Sequence, residues 1–311
     1  MKRNLTIGTR KSALALWQAE YIKKALEGHD SELTVTLEHI VTKGDKILDV
    51  PLARIGGKGL FTTELESRLL TGTIDLAVHS LKDLPADLPD GLCLAAVTAR
   101  TYVHDVLVSN HYDSLDALPQ GACVGTSSLR RRAQLLAYRP DLTVRDLRGN
   151  VDTRLKKLDD GEYDAIILAE AGLHRLGLAN RISQLLPTDI MIPAVGQGAL
   201  AIETRTDDDE LKQALAFLCD PGTTAATTAE RAFLAAINGS CQVPVGVYGR
   251  AKNDQLILSC IIAAPDGSRA FRHQTTGLLT SGAALGQEAA KTLLDCGGRQ
   301  ILTDLGITPA E

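Results

Sequence analysis

The stretch NLTIGTRKSALALWQAEYIKKALEG, residues 4–28, predicts a strand that runs through a Gly-Thr turn into an amphipathic helix. Ser12 stands where the N-cap of that helix is expected. A second stretch, CVGTSSLRRRAQLLAYR at 123–139, repeats the order of strand, Gly-Thr turn, hydroxyl residues and basic helix start. Short β-rich runs alternate with helical runs around both stretches, which predicts mainly parallel sheets with helical crossovers.

The C-terminal part of the chain follows a different pattern. Three strand-like segments at 243–250, 255–264 and 268–277 precede one long helical run at 281–296. Strands in succession followed by a helix predict a small α+β domain with an antiparallel sheet. Because 311 residues exceed one ordinary core, we expect two α/β domains and this α+β domain.

Composition narrows the class of partner. The net charge of −5 argues against nucleic acid as the main partner, and 4% aromatic residues leave few side chains for base stacking. The N-terminal segment lacks the sustained apolar region of a secretory signal. No apolar run reaches the ~18 residues that a membrane helix needs. We therefore expect a cytoplasmic protein with neither a nucleic-acid nor a membrane partner.

The six cysteines are irregularly spaced, and none forms a CxxC pair. This spacing makes a zinc site or a thioredoxin-type motif improbable, and we expect no metal. Five of the six stand in apolar surroundings and are interpreted as small core residues. The exception is Cys241, which lies on the loop INGSCQVPVG at 237–246.

Positive charge concentrates between Gly125 and Arg154, where seven arginines stand against three aspartates. The guanidinium group suits bidentate capture of carboxylate or phosphate, so the cluster predicts a small polyanionic ligand. The two Gly-Thr turns add hydroxyls and helix N-termini, which also bind anions, and suggest a ligand held between the two α/β domains. The alternative for these arginines is surface salt bridging with Asp146 and Asp152, and some of them are expected to do only that.

Two further motifs precede the arginine cluster. HSLKDLP at 79–85 follows a predicted buried strand, so Lys82 and Asp83 are expected at the ligand crevice of an open sheet. The alternative is a solvated Lys-Asp pair on an ordinary loop. GGKGLFTTELE at 56–66 matches neither GxxxxGK(S/T) nor GxGxxG, the two glycine spacings that bind phosphate. We interpret it as a flexible lid.

Taken in order, these motifs resemble the porphobilinogen deaminases, also called hydroxymethylbilane synthases. The resemblance rests on GTRKSALALWQ, VTKGD, GGKGLFTTELE, DLAVHSLKDLP, GTSSLRRRAQL, RGNVDTRL, PAVGQGALAIE and GSCQVPVG, from about residue 5 to beyond 270. It implies a transferase of tetrapyrrole (heme, porphyrin) biosynthesis. Such an enzyme adds four porphobilinogens, with loss of ammonia, to a covalent dipyrromethane cofactor and releases hydroxymethylbilane by hydrolysis.

The resemblance also assigns roles to residues. Cys241 matches the cysteine that carries the cofactor through a thioether, and Asp83 matches the essential aspartate. Asp83 would stabilise the cationic azafulvene left by ammonia and assist the proton transfers. The remaining residues implied in cofactor or substrate binding are Arg10, Ser12, Gln18, Lys58, Phe61, Ser80, Lys82, Thr126, Ser127, Ser128, Arg130, Arg131, Arg148, Arg154, Arg175 and Gln197.

The implied fold is two α/β domains like those of periplasmic solute-binding proteins, plus a third domain that presents the cysteine loop. Domain 1 would comprise 1–99 and 200–218, domain 2 would comprise 100–199, and domain 3 would comprise 219–311. Two crossing segments near 98–105 and 193–202 would join the first two domains, and the protein would be a monomer.

The chain departs from the family pattern at several positions. TYVHDVL at 101–107 places Val103 and His104 where the family has Pro and Arg, which puts the hinge geometry and one basic contact in question. Ser240 replaces a glycine, and Thr204 stands where cysteine is common. A strained Ser240 is expected if that position needs a positive φ.

The same sequence features allow three other functions. A non-catalytic two-domain binder of a small polycarboxylate would use the same arginines but leave Cys241 and Asp83 without a role. A cysteine-dependent hydrolase would need a histidine near Cys241. An RNA-binding protein is disfavoured by the charge and the aromatic content.

Overall fold

The computed structural model describes residues 4–46, 59–239 and 243–309. Within these ranges the strands are β1 Asn4–Thr9, β2 Thr34–His39, β3 Leu76–Ser80, β4 Leu92–Val97, β5 Asp105–Val108, β6 Cys123–Gly125, β7 Thr143–Arg145, β8 Ala165–Ala169, β9 Gln184–Leu186, β10 Leu200–Arg205, β11 Val245–Lys252, β12 Gln255–Ala263 and β13 Ala270–Leu278. The helices are α1 Ala13–His29, α2 Lys43–Lys46, α3 Thr63–Leu70, α4 Leu129–Tyr138, α5 Val151–Asp159, α6 Glu170–Arg175, α7 Asp209–Leu215, α8 Pro221–Ala236, α9 Gly282–Leu293 and α10 Arg299–Asp304.

Two five-stranded sheets share one topology. Their strand orders are β2-β1-β3-β10-β4 and β7-β6-β8-β5-β9. In each sheet the first three strands are parallel, and the fourth, β10 or β5, runs antiparallel to both of its neighbours. The prediction of two mainly parallel α/β sheets is confirmed. The sequence patterns did not reveal that one strand in each sheet, β10 or β5, runs antiparallel to its neighbours.

The antiparallel strands arise where the chain passes between the sheets. Residues 98–104 lead from β4 of the first sheet to β5 of the second, and residues 187–199 lead back from β9 to β10. A strand that enters a sheet from the opposite domain arrives against the direction of its neighbours. Two connections therefore join the α/β units, and the cleft lies beside them.

The third sheet is antiparallel, in the order β11-β12-β13, as the sequence predicted. Helices α8 and α9 cover one face and bury an apolar core around Phe233, Val247, Leu258 and Ala289. The other face of β13 is exposed at every second residue, which explains its alternating sequence.

A buried ion pair fastens this third domain to both connections. The Glu230 carboxylate on α8 receives two hydrogen bonds of 2.7 Å from the Arg100 guanidinium. It also receives backbone hydrogen bonds from Gly196 at 2.6 Å and from Gly249 at 2.7 Å. Since Arg100 and Gly196 belong to different connections, one carboxylate ties both of them to α8 and β11.

The altered connection at 101–104 has its own contacts. His104 Nδ1 lies 3.1 Å from an oxygen of Glu170. Tyr102 has a positive φ of 55° and stacks on His174 with ring centroids 3.7 Å apart. A tyrosine in the left-handed region is uncommon, and the stacking accompanies that conformation here.

The expectation that five cysteines are core residues is wrong for two of them. Cys219 and Cys296 are exposed, Cys93 and Cys123 are partly buried, and Cys260 is buried. Cys219 directly follows a 3₁₀ turn at Ala216–Leu218, and Cys296 lies in a single π turn, Leu294–Gly298. Both turns lie at the protein surface, which an apolar stretch of sequence does not reveal.

Among the described residues, no helix combines the length and apolarity required to traverse a bilayer. The same residues contain no group of His, Cys, Asp and Glu suited to a metal ion.

Candidate active site

Six of the residues predicted for the site line a single pocket at the end of the first sheet. They are Arg10, Ser12, Gln18, Phe61, Ser80 and Asp83. Strands β1 and β3 are parallel neighbours, so their C-terminal ends meet at this edge of the sheet, as expected for an open α/β sheet.

Asp83 is carried by a short rigid turn. The 3₁₀ turn Leu81–Asp83 directly follows β3, and the buried Leu81 anchors it. Gly196 packs on this leucine so closely that a Cβ there would lie 2.6 Å from Leu81 Cγ. The turn therefore holds the exposed Asp83 carboxylate at the mouth of the pocket, where no hydrogen bond from another described residue reaches it.

The Arg10 guanidinium is already paired. It forms an ion pair with Asp45, which Thr42 also contacts through its hydroxyl at 2.8 Å. Burial would raise the pKa of Asp45, but the hydrogen bonds from Arg10 and Thr42 outweigh it and lower that pKa. Arg10 also lies over the Phe61 ring, 4.2 Å from its centroid. It therefore carries less free positive charge than the sequence suggested.

The polar residues of this pocket also support its backbone. Ser12 caps α1 by accepting from Ala15 N, as predicted. Its hydroxyl hydrogen is left to donate to an anion. Gln18 Nε2 donates to Ser80 Oγ at 2.8 Å, which fixes both side chains at the wall.

The second sheet contributes a buried charge cluster. Asp105, at the start of β5, accepts hydrogen bonds from Arg130 Nη2 at 3.2 Å, from Arg131 Nε at 2.9 Å and from Gln197 Nε2 at 3.2 Å. Burial would raise the pKa of Asp105, but the two arginines hold it far below its usual range. Arg130 and Arg131 also donate to the backbone carbonyls of Ile192 and Ile167. Both arginines are only 5–6% exposed, so they form a buried wall and not a free surface.

Lys82 lies close enough to Asp105, Arg130 and Arg131 for their charges to affect its pKa. Burial lowers the pKa of Lys82 to about 8; Asp83 opposes the shift and Arg131 adds to it. The structure therefore brings the Lys-Asp pair of HSLKDLP to the arginine-rich domain. The alternative of a purely solvated loop pair does not describe Lys82.

The hydroxyls of the second Gly-Thr turn are largely engaged. Ser128 caps α4 by accepting from Arg131 N. Ser127 Oγ exchanges hydrogen bonds of 3.0 Å with the backbone of Leu147. Thr126 is buried, and its hydroxyl accepts from Ser128 N at 3.3 Å. The three hydroxyl groups therefore stabilise the turn. Ser127 already donates its hydrogen to Leu147 O, so contacts with a ligand would use the hydroxyl hydrogens of Thr126 and Ser128.

Arg154 and Arg175 donate to backbone carbonyls, whereas Arg130 and Arg131 also pair with the Asp105 carboxylate. Arg154 Nε donates to Gly149 O at 2.8 Å, and Arg175 Nη2 donates to Gly198 O at 2.8 Å. Burial lowers the pKa of Arg154 to about 10, with Arg131 and Arg148 adding to the shift and Asp83 opposing it. Burial also lowers the pKa of Arg175 to about 10. Within the described ranges neither guanidinium forms an ion pair with a carboxylate.

The positive charges of the cleft can be compared with the carboxylates of a dipyrromethane. Each pyrrole of that group bears an acetate and a propionate, so it is a tetra-anion at neutral pH. Besides the larger effect of burial, the nearby Arg131 lowers the pKa of both Lys82 and Arg154, which indicates a cleft with excess positive charge. Carboxylates would relieve that repulsion, and Asp83 faces the same space. The donor set fits the group.

Cys241, Lys58 and Ser240 lie outside the described residues, as does part of the predicted lid at 56–66. The prediction missed Asp45, Asp105 and His79, which lines the pocket beside Ser80. Asp45 ends the motif VTKGD, and Asp105 begins the apolar strand DVLV. An acidic residue at the start of a buried strand was the available signal that a cation would be buried beside it.

The fold and the site define a class: a protein of two α/β domains that holds a polycarboxylate in a cation-lined cleft, with an aspartate at its mouth. The porphobilinogen deaminase profile for the dipyromethane cofactor binding domain matches residues 5–213, and the profile of the porphobilinogen deaminase C-terminal domain matches residues 224–295. The chain belongs to the porphobilinogen deaminase family. This makes it a transferase of porphyrin and heme biosynthesis, a hydroxymethylbilane synthase with a dipyrromethane cofactor, and it disfavours the non-catalytic binder.

The chain is also similar, at low sequence identity, to several solved structures. The methionine-binding protein MetQ is 16% identical, with a TM-score of 0.46 over 70% of this chain and 89% of that one. A nutrient-binding protein from Burkholderia cenocepacia bound to methionine is 15% identical, with a TM-score of 0.43 over 68% and 90%. The periplasmic VFT2 domain of BvgS from Bordetella pertussis is 15% identical, with a TM-score of 0.42 over 68% and 85%.

Proposed function

We propose that this chain joins four porphobilinogens in its cleft, with Asp83 as the residue that acts on the reacting carbon and Cys241 as the cofactor anchor. The observation that carries the proposal is the exposed Asp83 carboxylate beside a cluster of cations that lacks enough negative charge. The carboxylates of the substrate would supply the missing negative charge. The Asp83 carboxylate would stabilise the positive charge that develops at the reacting carbon.

The basic residues would hold the carboxylates of the substrate and the cofactor. Lys82, Arg154 and Arg175 form no ion pair with a carboxylate within the described part of the chain, so a carboxylate ligand would supply their first one. Arg130 and Arg131 are fixed by Asp105, so they would present an oriented wall. The cofactor, when bound, supplies a permanent primer on which the pyrrole chain grows.

Asp83 would act on the methylene carbon of porphobilinogen. When the C–N bond breaks, ammonia leaves and positive charge develops on the pyrrole and its methylene group. A carboxylate held in place by a rigid turn stabilises that charge without reorganising. The 3₁₀ turn behind β3 provides that placement.

The proposal also covers the location and oligomeric state of the chain, its division into domains and the position of Cys241. The chain would be a cytoplasmic monomer, as is usual in the family, and its net charge of −5 argues against a nucleic-acid partner. Its division would follow the sheets, with 1–99 and 200–218 forming domain 1, 100–199 domain 2 and 219–311 domain 3. Domain 3 would present Cys241 to the cleft.

The intact mass of the denatured protein tests this function, with Cys241→Ser as the matched variant. The wild type should show an excess mass equal to one dipyrromethane, and the variant should not. If the wild type is bare, incubation with porphobilinogen should add that mass and release ammonia. A wild-type chain that gains no adduct would overturn the proposal.

A further inference from the structure

A buried cluster of three titratable side chains lies behind the pocket that Asp83 closes. His79 on β3 and Glu203 on β10 are diagonal neighbours on one face of the sheet, and His79 Nε2 lies 3.0 Å from Glu203 Oε2. Glu66 on α3 completes the cluster. His79 and Glu66 are 7% exposed, and Glu203 is fully buried. A buried charged cluster is costly, so its presence beside a reactive pocket calls for an explanation.

Two carboxyl oxygens of the cluster lack partners. Glu66 Oε1 and Glu203 Oε1 are buried, and neither receives a hydrogen bond from a described residue. Burial raises the pKa of Glu66 and the nearby Glu203 adds to the rise, whereas the Thr62 hydroxyl and His79 oppose it. A proton on one of the two carboxyl groups would reduce the cost of burying them close together. The cluster is therefore suited to store a proton.

His79 connects this store to the pocket. With Glu203 as acceptor, Nε2 carries the hydrogen, so Nδ1 is left with its lone pair. Nδ1 forms no hydrogen bond within 4–46, 59–239 and 243–309, and His79 lines the pocket together with Ser80 and Asp83. A buried carboxylate that fixes the tautomer of an imidazole is the arrangement of a general base.

We propose that His79, oriented by Glu203 and backed by Glu66, takes up the proton released when two porphobilinogen units are coupled. This inference rests on the proposed function. It divides the chemistry between two groups: Asp83 stabilises the positive charge, and His79 accepts the proton.

Coupling breaks one C–N bond and one C–H bond and forms one C–C bond. The C–N bond of the incoming porphobilinogen breaks, and its electron pair leaves with ammonia. A π pair from the previously added pyrrole forms the C–C bond to the methylene carbon. The C–H bond at the attacking α-carbon then breaks, its pair restores the aromatic ring, and the proton goes to His79 Nδ1. From there the proton passes to ammonia or water, so ammonium is the final product.

The test uses His79→Gln, because the glutamine amide can still donate to Glu203 but cannot accept and release the proton. We expect turnover to fall by ~10²-fold or more. Porphobilinogen deuterated at its free α-carbon should then show a larger isotope effect with the variant than with the wild type. A purely structural role for His79 would not change the isotope effect. His111→Gln, at an exposed histidine of the second α/β unit, is the control and should behave as wild type.

The intact mass of the protein distinguishes failure of the proposed function from failure of the inference about His79. A wild type without an adduct or turnover means that the proposed function has failed. A His79→Gln protein with wild-type turnover overturns the present inference alone. If His79→Gln is purified without the adduct, its growth in mass with porphobilinogen over time reports the same coupling: slow, deuterium-sensitive growth supports the inference, and growth at the wild-type rate overturns it. If His79→Gln does not fold, Glu203→Gln provides the same readouts, with an intermediate loss expected.

Discussion

Glu230→Gln should destabilise the protein more than any exposed charge change. The Glu230 carboxylate is fully buried and accepts four hydrogen bonds, two from Arg100 and one each from the backbone of Gly196 and Gly249. The NH₂ group of a glutamine side chain cannot accept hydrogen bonds, so two of these four donors lose their acceptor. The Arg100 guanidinium also becomes a buried charge without a counter-ion.

The magnitude follows from these losses. Breaking a buried pair by removing one charge costs about 3–5 kcal/mol. For a chain of this size, about 2 °C in Tm corresponds to each kcal/mol, so we expect a fall of roughly 6–10 °C. The double variant Arg100→Met, Glu230→Gln should recover part of this loss, because no charge remains buried.

Thermal unfolding followed by circular dichroism is the assay. Lys156→Gln is the control, because it breaks the pair with Asp160, whose side chains are 73% and 48% exposed. Such a pair contributes less than about 1 kcal/mol. If Glu230→Gln lowers Tm no more than Lys156→Gln does, then the buried carboxylate does not fasten the third domain and the argument is refuted.

Three further outcomes concern the cleft. Asp83→Ala should lower the rate of ammonia release at least ~10²-fold, because the stabilising charge is lost; near-normal turnover would remove Asp83 from this role. Arg148→His should impair chain elongation or primer assembly, since histidine is largely uncharged at neutral pH. Native gels would show this as an altered distribution of intermediates, and an unchanged distribution would count against it. Because the pKa of Lys82 is lowered to about 8, raising the pH through that value removes its charge, and the KM for porphobilinogen should rise. Lys82→Arg keeps its charge and should abolish that rise, which initial rates at several pH values would measure.

Local sequence patterns predicted much of the fold. The strand and helix of residues 4–28 and the cap at Ser12 are confirmed, because hydrophobic period and capping chemistry depend on residues within a few positions. The antiparallel three-stranded sheet is also confirmed. The strands β4, β9 and β10 were not anticipated, since short buried strands carry little periodicity of their own.

The motifs around the cleft were also readable, because they repeat one local design. A strand end, a Gly-Thr turn and a basic helix start occur once in each α/β domain. This repetition accounts for Arg10 and Ser12 in the pocket, whereas Asp83 comes from the separate motif HSLKDLP. It could not show which of the arginines retain free charge.

The sequence by itself therefore predicted the class of fold and the polyanionic character of the ligand, and it indicated Asp83 as a candidate at the cleft. The tertiary structure decided how charge is distributed within the cleft. Asp45 pairs with Arg10 across 35 positions, Asp105 with Arg130 across 25, and Glu230 with Arg100 across 130. These pairs have no local signature, because a buried carboxylate and its cation are brought together only by packing of separate elements. Burial then fixes the protonation of each group, and burial is a property of the folded chain alone.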